Sequence, residues 1–210
     1  MRSPRQLPQS FFALPARIVA RRLLGARLVH DDRGRRVSGK IVEAEAYCDS
    51  DEPDVACHAT ANQGRPTRRT AVMFGPPGFA YVYFTYGMHW MFNVVTGDEG
   101  RANAVLLRAL EPLEGLALMA ERRQRRPSEW TNGPAKLTQA MGINKELNGA
   151  NLCSPDSVIW IEAGEDVDDG AIATGPRIGL GNTPEPWHSM PWRFWIKGNP
   201  YVSGSLTSSP

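Results

Sequence analysis

The segment Val42-Glu43-Ala44-Glu45-Ala46-Tyr47 sets two carboxylates two positions apart, with a phenol two positions further on. The period of a β-strand places Glu43, Glu45 and Tyr47 on one face and Val42, Ala44 and Ala46 on the other. A carboxylate against an aromatic wall is desolvated, and desolvation tunes it as a general base. A solvent-facing polar stripe would show the same alternation, so the residues alone leave both readings open. An acid/base pair for sugar hydrolysis fits less well. Same-face neighbours on a strand stand roughly 7 Å apart with parallel side chains, whereas that chemistry uses two facing carboxylates.

A second cluster runs Tyr81-Val-Tyr83-Phe-Thr-Tyr86-Gly-Met88-His89-Trp90. Tyr81 and Tyr83 share a strand face, while Tyr86 and Met88 flank Gly87 at a turn, where side chains are normally polar. An apolar tip suits a wedge that fills the gap left by a nucleotide extruded from a duplex; a tip covered by another part of the chain would have the same sequence. Asn93 and Arg108 each interrupt an apolar strand pattern, and a polar group there must find partners. Arg108 is suited to holding a carboxylate in place, although a structural ion pair or an edge position would also account for it. Cys57 next to His58 could suggest a thiol–imidazole couple, but strand neighbours point apart, and a small buried cysteine is the plainer reading.

These residues need elements to carry them. Residues ~14–24 have the spacing of an amphipathic helix that stops at Gly25. Ala26–His30 and Val37–Tyr47 form a hairpin around Asp31-Asp32-Arg33-Gly34. Cys48–Thr70 is a long irregular segment of the kind that is usually functional. Phe79–Thr85, His89–Val95 and Asn103–Leu110 make a three-stranded meander. Pro112 is expected to open a helix through Leu113, Leu116 and Met119, and Gly133-Pro134 another, Ala135–Met141, ending at Gly142. Val158–Glu162 and Arg193–Lys197 read as further strands.

The 210 residues, 41% hydrophobic, suit one domain spanning 1–210, with a tail, Ser203–Pro210, expected to fray. No apolar run is long enough for a membrane span, and arginines break up the N-terminal apolar residues, which argues against a signal peptide or an anchor. Three cysteines without a Cys-x-x-Cys pair imply neither a disulfide framework nor a zinc site and fit a reducing compartment. The net charge is only +2, yet all but four of the 24 basic residues are arginine. They cluster at Arg33/Arg35/Arg36, Arg65/Arg68/Arg69 and Arg122/Arg123/Arg125/Arg126, as phosphate grips or as solvated surface.

Taken in order, the blocks Gly39–Tyr47, His58-Ala59, Met73–Gly78, Tyr81–Met88, Asn93-Val94, Leu106–Gly115, Asn132–Ala140, Pro176–Gly179 and Pro191–Gly198 resemble the alkyladenine (3-methyladenine) DNA glycosylase family. The match covers nearly the whole chain. Two departures stand out: the Glu45-to-His58 spacing is slightly longer than usual, and the family's Thr-x-Arg-Asn run appears as Thr67-Arg68-Arg69-Thr70.

The resemblance implies a mixed α/β (α+β) domain around a curved, largely antiparallel sheet with a protruding β-hairpin. It implies that Glu45 activates the attacking water and that Arg108 holds water and carboxylate in register. Tyr47 on one side, with His58 and Tyr83 on the other, would sandwich the flipped base, and Asn93 would exclude the amino group of normal guanine. Tyr86 with Met88 would be the minor-groove wedge, and Arg68, Arg69 and Lys136 are candidate phosphate contacts. The partner would be duplex DNA containing damaged purines, bound by a monomer in the cytoplasm of a bacterium or the nucleus of a eukaryote. No lysine lies in the Glu45 segment to form a Schiff base, so simple hydrolysis to an abasic site is expected, without a metal or organic cofactor. A non-catalytic damaged-DNA-binding module on the same fold is the alternative.

Overall fold

The computed structural model describes residues 5–48, 54–60 and 63–204. The strands are β1 (Arg27–Asp32), β2 (Arg35–Tyr47), β3 (Ala80–Thr85), β4 (His89–Val95), β5 (Ala104–Glu114), β6 (Ile159–Glu162), β7 (Ile172–Gly175) and β8 (Arg193–Ile196). The helices are α1 (Gln9–Phe12), α2 (Ala16–Arg22), α3 (Leu116–Arg122) and α4 (Pro134–Met141). One antiparallel sheet runs β3-β4-β5-β2-β1-β6, with β8 pairing to β2 and β7 to β8. It curls into a half-barrel, giving the α+β fold expected from the sequence.

Strand alternation sorts the two faces. Ile41, Ala44, Ala46, Val82, Phe92, Val94, Val105 and Leu107 enter one core with Phe12, Val19, Leu23, Leu137 and Met141 from the helical side. Burying side chains of this size stabilises by roughly 1.5–3 kcal/mol each. The opposite face carries Tyr81, Val95 and Ala104 against Cys57 and Ala59 of the irregular segment and Met73 of the 3-10 turn Ala71–Phe74 that follows it, so Cys57 is the small buried cysteine expected.

β2 departs from simple alternation. Ile41 pairs with Leu110, Glu43 with Ala109 and Ala44 with Leu107, so Val42 is an extra residue in β2 and Arg108 one in β5. Val42 therefore does not share a face with Ala44 and Ala46; it packs with Ala109 and Val202 in a separate cluster. A bulge displaces one residue and preserves the alternation beyond it, so Glu43, Glu45 and Tyr47 remain on one face. At the same place the free edge of β2 passes from β1, which pairs with 35–40, to β8, which pairs with 43–45.

Two expectations fail. Pro112 opens no helix: it lies within β5, opposite Gly39 and beside a register shift, where a missing N–H is tolerated. The helix waits for Gly115, whose φ of 72° turns the chain where a Cβ would lie 2.4 Å from the Arg36 carbonyl. The tail does not fray from Ser203 either. Ser203 is buried because its N–H and hydroxyl serve Glu43; residues 205–210 lie outside the described residues.

Candidate active site

The two carboxylates of β2 are fully buried, which rules out a solvent-facing stripe. They differ in how fully they are engaged. Glu43 accepts from Arg108 Nε (3.0 Å), Arg193 Nη1 (3.1 Å), the Ser203 hydroxyl (2.8 Å) and the Ser203 N–H (2.6 Å). Glu45 accepts from Arg108 Nη1 (3.1 Å), the Ile178 N–H (2.7 Å) and the Tyr47 hydroxyl (2.8 Å). A carboxylate offers about four acceptor positions. Glu43 takes four donors, three on Oε1 and one on Oε2, whereas among the described residues Glu45 takes three, two on Oε1 and one on Oε2.

Electrostatics point the same way. Burial raises the Glu45 carboxyl above the ordinary carboxylate value, against the pull of Arg108, the Ile178 N–H and Tyr47. Burial also works against the charge of Arg108, yet Glu45 and Glu43 hold its guanidinium above the usual value. The Tyr47 phenol is pushed well up by burial and by Glu45, so it stays a donor. Both carboxylates contact one guanidinium and do not face each other across a cleft, which removes the sugar-hydrolase geometry.

Above this floor lies a cavity of about 410 Å³ lined by Tyr47, His58, Tyr83, Asn93, Arg108 and Tyr86 among others. Tyr47, His58, Tyr83, Tyr86, Asn93 and Arg108, far apart in sequence, thus line one cavity, whereas Glu45 and Met88 are not among its lining residues. His58 stands edge-on to Tyr83 with ring centroids 4.4 Å apart, and its Nδ1 is 3.1 Å from the Tyr81 hydroxyl. Burial and nearby Arg69 lower His58 to about 4, leaving a neutral ring in the wall. Burial pushes Tyr83 up to about 12. Asn93 donates to the Tyr81 carbonyl at 3.1 Å, which fixes its amide at the cavity edge.

The β3–β4 hairpin projects its tip outward, with Tyr86 78% and Met88 67% exposed; among the described residues no other part of the chain covers it. The turn has φ of 52° at Tyr86 and 66° at Gly87, closed by the Met88 N–H on the Thr85 carbonyl. A bulky side chain in the left-handed region costs roughly 1–2 kcal/mol, and strain of this kind concentrates at functional positions.

Arg68, Arg69 and Lys136 do not line the cavity. Arg68 and Arg69 border a shallow groove of about 310 Å³ on the reverse of the hairpin, with Phe84, Trp90 and Lys145. Arg69 also lies over the Tyr83 ring at 5.1 Å. Thr70 and Thr67 hold each other's backbone N–H groups, pinning the turn that presents both arginines. Lys136 reaches back to Asn132 at 2.9 Å. Three other arginines are engaged internally: Arg122 donates to the Ala140 carbonyl near the end of α4, Arg123 to Gln139, and Arg36 pairs with Glu114. Lys40, the lysine nearest Glu45 in sequence, is salt-bridged to Glu111 (3.0 Å) and Glu165 (3.6 Å).

Sequence reasoning missed Tyr81 as the support of His58, and it missed Ser203, Arg193, Asp54, Arg177 and the Ile178 N–H. Only Arg177 carried a signal, as a charge amid Pro176-Arg177-Ile178-Gly179. Among the described residues no group of three or more His, Cys, Asp or Glu is placed to hold a metal ion, and no helix is long and apolar enough to cross a membrane.

Residues 10–200 match the family model described as methylpurine-DNA glycosylase. A protein of Myxococcus xanthus is 46% identical over 197 residues, covering 94% of this chain and 93% of its own length. One from Carboxydothermus hydrogenoformans is 46% identical over 198 residues, covering 94% and 98%. One from Bacillus licheniformis is 46% identical over 198 residues, covering 94% and 96%. Each carries the provisional name of a 3-methyladenine DNA glycosylase.

Proposed function

Because the chain belongs to the methylpurine-DNA glycosylase family, and so is a DNA-repair hydrolase of N-glycosyl bonds, we propose that Glu45 is its general base. The observation that carries this assignment is the difference between the two buried carboxylates: the three partners of Glu45, which are Arg108, Ile178 and Tyr47, all line the cavity, whereas of Glu43's partners only Arg108 does. A damaged purine turned out of duplex DNA enters between Tyr47 on one side and His58 with Tyr83 on the other. Glu45 takes a proton from water as the water oxygen attacks C1′ of the deoxyribose. The bond to the base breaks, and its electron pair leaves with the purine. Arg108 fixes the carboxylate, whose charge also offsets the positive charge that grows on the sugar.

A purine already positive through alkylation leaves readily, so 3-methyladenine and 7-methylguanine lead the substrate range, with hypoxanthine and ethenoadenine behind them. Stacking an electron-poor base on aromatic rings contributes roughly 1–3 kcal/mol, and extrusion costs least for a damaged or mispaired base. Asn93 guards against the exocyclic amino group of guanine. Tyr86 and Met88 fill the vacated place in the duplex, while Arg68, Arg69 and Lys136 hold phosphates. The engagement of Lys40 with Glu111 and Glu165 supports hydrolysis to an abasic site without strand cleavage. The enzyme acts as a monomer, in the cytoplasm if its host is bacterial like the relatives compared.

The test uses duplex DNA with a single hypoxanthine, and methylated DNA, with a chelator present. Wild type should release 3-methyladenine or hypoxanthine and leave strands that break only on later alkali treatment. Glu45→Gln should bind the same DNA and release nothing. A folded wild-type protein that binds both DNAs and releases no base would replace the catalytic reading with that of a damage-binding module.

A further inference from the structure

The residues on either side of Glu45 are held by a side chain that touches neither the cavity nor the carboxylate. Arg177 is buried, with an ion pair to Asp54, 2.9 Å from Nη2 to Oδ1, in which neither side chain reaches solvent. Its other two Nη N–H groups reach the Ala46 carbonyl at 3.1 Å and the Trp187 carbonyl at 3.3 Å, while Nε–H has no partner among the described residues. Its guanidinium lies 4.7 Å over the Tyr47 ring and 5.0 Å over the Trp192 ring. The next residue, Ile178, gives its N–H to Glu45. One side chain therefore fixes three things: the segment that delivers an N–H to Glu45, the outer face of the tyrosine that donates to Glu45, and Asp54 of the irregular segment that leads to His58.

We propose that Arg177, clamped by Asp54, is a positioning residue for the glycosylase reaction: it aligns the Ile178 N–H and the Tyr47 ring on Glu45 and sets the cavity wall formed by the segment after β2. A buried ion pair is weak grounds for claiming stability, since desolvation offsets much of its attraction. What argues for positioning is where the contacts go. They tie the loop after β2, β2 itself and the 176–178 segment to one planar group, and two of those three carry donors to the carboxylate.

The inference rests on Glu45 being the base, and the experiment separates the two. Single-turnover base release is followed against pH for wild type, Glu45→Gln, Arg177→Lys, Arg177→Met and Asp54→Asn, alongside DNA affinity and thermal unfolding. The titratable and charged groups around Glu45 are Arg108 on β5, Glu43 and Tyr47 on β2, Tyr83 on β3 and Arg177 itself. Misaligning the Ile178 N–H or Tyr47 removes a partner of the charged form, so Glu45 protonates at higher pH. The acid limb of the rate should then move upward by roughly one pH unit, the size of one charge-assisted hydrogen bond. DNA affinity should stay within about threefold, a difference under 1 kcal/mol.

Arg177→Lys keeps the charge but loses the fork and the ring stacking, so the shift should persist in it. Asp54→Asn, the mildest change, should show a smaller shift in the same direction even if Arg177→Met fails to fold. A uniform loss of rate at every pH, or an unmoved acid limb in folded Asp54→Asn and Arg177→Lys, overturns the proposal while a silent Glu45→Gln leaves the base in place. Undiminished release by Glu45→Gln overturns both.

Discussion

Replacing Glu43 with glutamine tests whether this buried carboxylate holds the fold together around Arg108. In the native cluster Glu43 and Glu45 balance Arg108 and Arg193, and Glu43 accepts four hydrogen bonds. Glutamine removes one negative charge and cannot satisfy the same donors. If its oxygen takes the position facing Arg108, Arg193 and the Ser203 hydroxyl, its NH₂ meets the Ser203 N–H at a site only 2.6 Å away. If it flips, the NH₂ meets two guanidinium groups. Removing one partner of a buried pair costs about 3–5 kcal/mol because the other charge is left uncompensated. For a chain of this size that lowers the unfolding temperature by about 6–20 °C. Urea unfolding of wild type and Glu43→Gln at neutral pH measures the difference directly, with equal slopes required for a two-state reading. A loss below about 1 kcal/mol, the ordinary worth of a surface pair, would show that Glu43 does not neutralise the buried guanidinium groups, and its structural role around Arg108 would go with it.

Two further outcomes follow from single side chains. Tyr86→Gly removes the proposed wedge but suits the left-handed backbone at this position; the variant should be no less stable than wild type yet release bases from a matched duplex roughly fivefold or more slowly, the lower end of a lost stacking contact. Equal loss on single-stranded substrate would argue against a wedge. His58 is lowered from 6.5 to about 4 by burial and by Arg69, so between those values the unfolded chain takes a proton that the native state refuses. Stability should fall as pH drops through that window and should fall less in His58→Gln; parallel urea midpoints for the two proteins from pH 7 to 4.5 would contradict this.

The strands that carry the site were legible because their alternation is strong: β4 was bounded correctly by its apolar residues, and the Tyr86 turn by its glycine. α4 was equally plain from Gly133-Pro134 at one end and Gly142 at the other. The start of α3 was misplaced because proline at a bulged strand position and proline at a helix start look alike in one dimension. The Val42 bulge leaves no trace, since Val42 is as apolar as any strand residue. Arg108 stood out as a polar residue in an apolar strand, but only the resemblance paired it with Glu45; what distinguishes Glu43 from Glu45 in the structure involves Ser203 and Arg193, which lie some 150 residues or more downstream of Glu43. Asp54 and Arg177 pair over a separation of 123 positions, and nothing local marks either as the other's partner.

The two extra residues, Val42 in β2 and Arg108 in β5, cancel each other: the ladder runs in the same register from Ile41 with Leu110 to Ala44 with Leu107. Removing one residue from only one strand would slide the half of β2 bearing Glu45 and Tyr47 by one position, roughly 3.3 Å, along β5 and β8. The lengths of these two strands are therefore coupled, so that a change in one is tolerable only with a matching change in the other. The loop after β2 is under no such constraint, because its closure is secured by the Asp54–Arg177 pair and not by a ladder. A change in chain length is therefore better accommodated in that loop than in the strands bearing Glu45 and Arg108. Anyone transplanting the site onto another sheet would have to carry both bulges together.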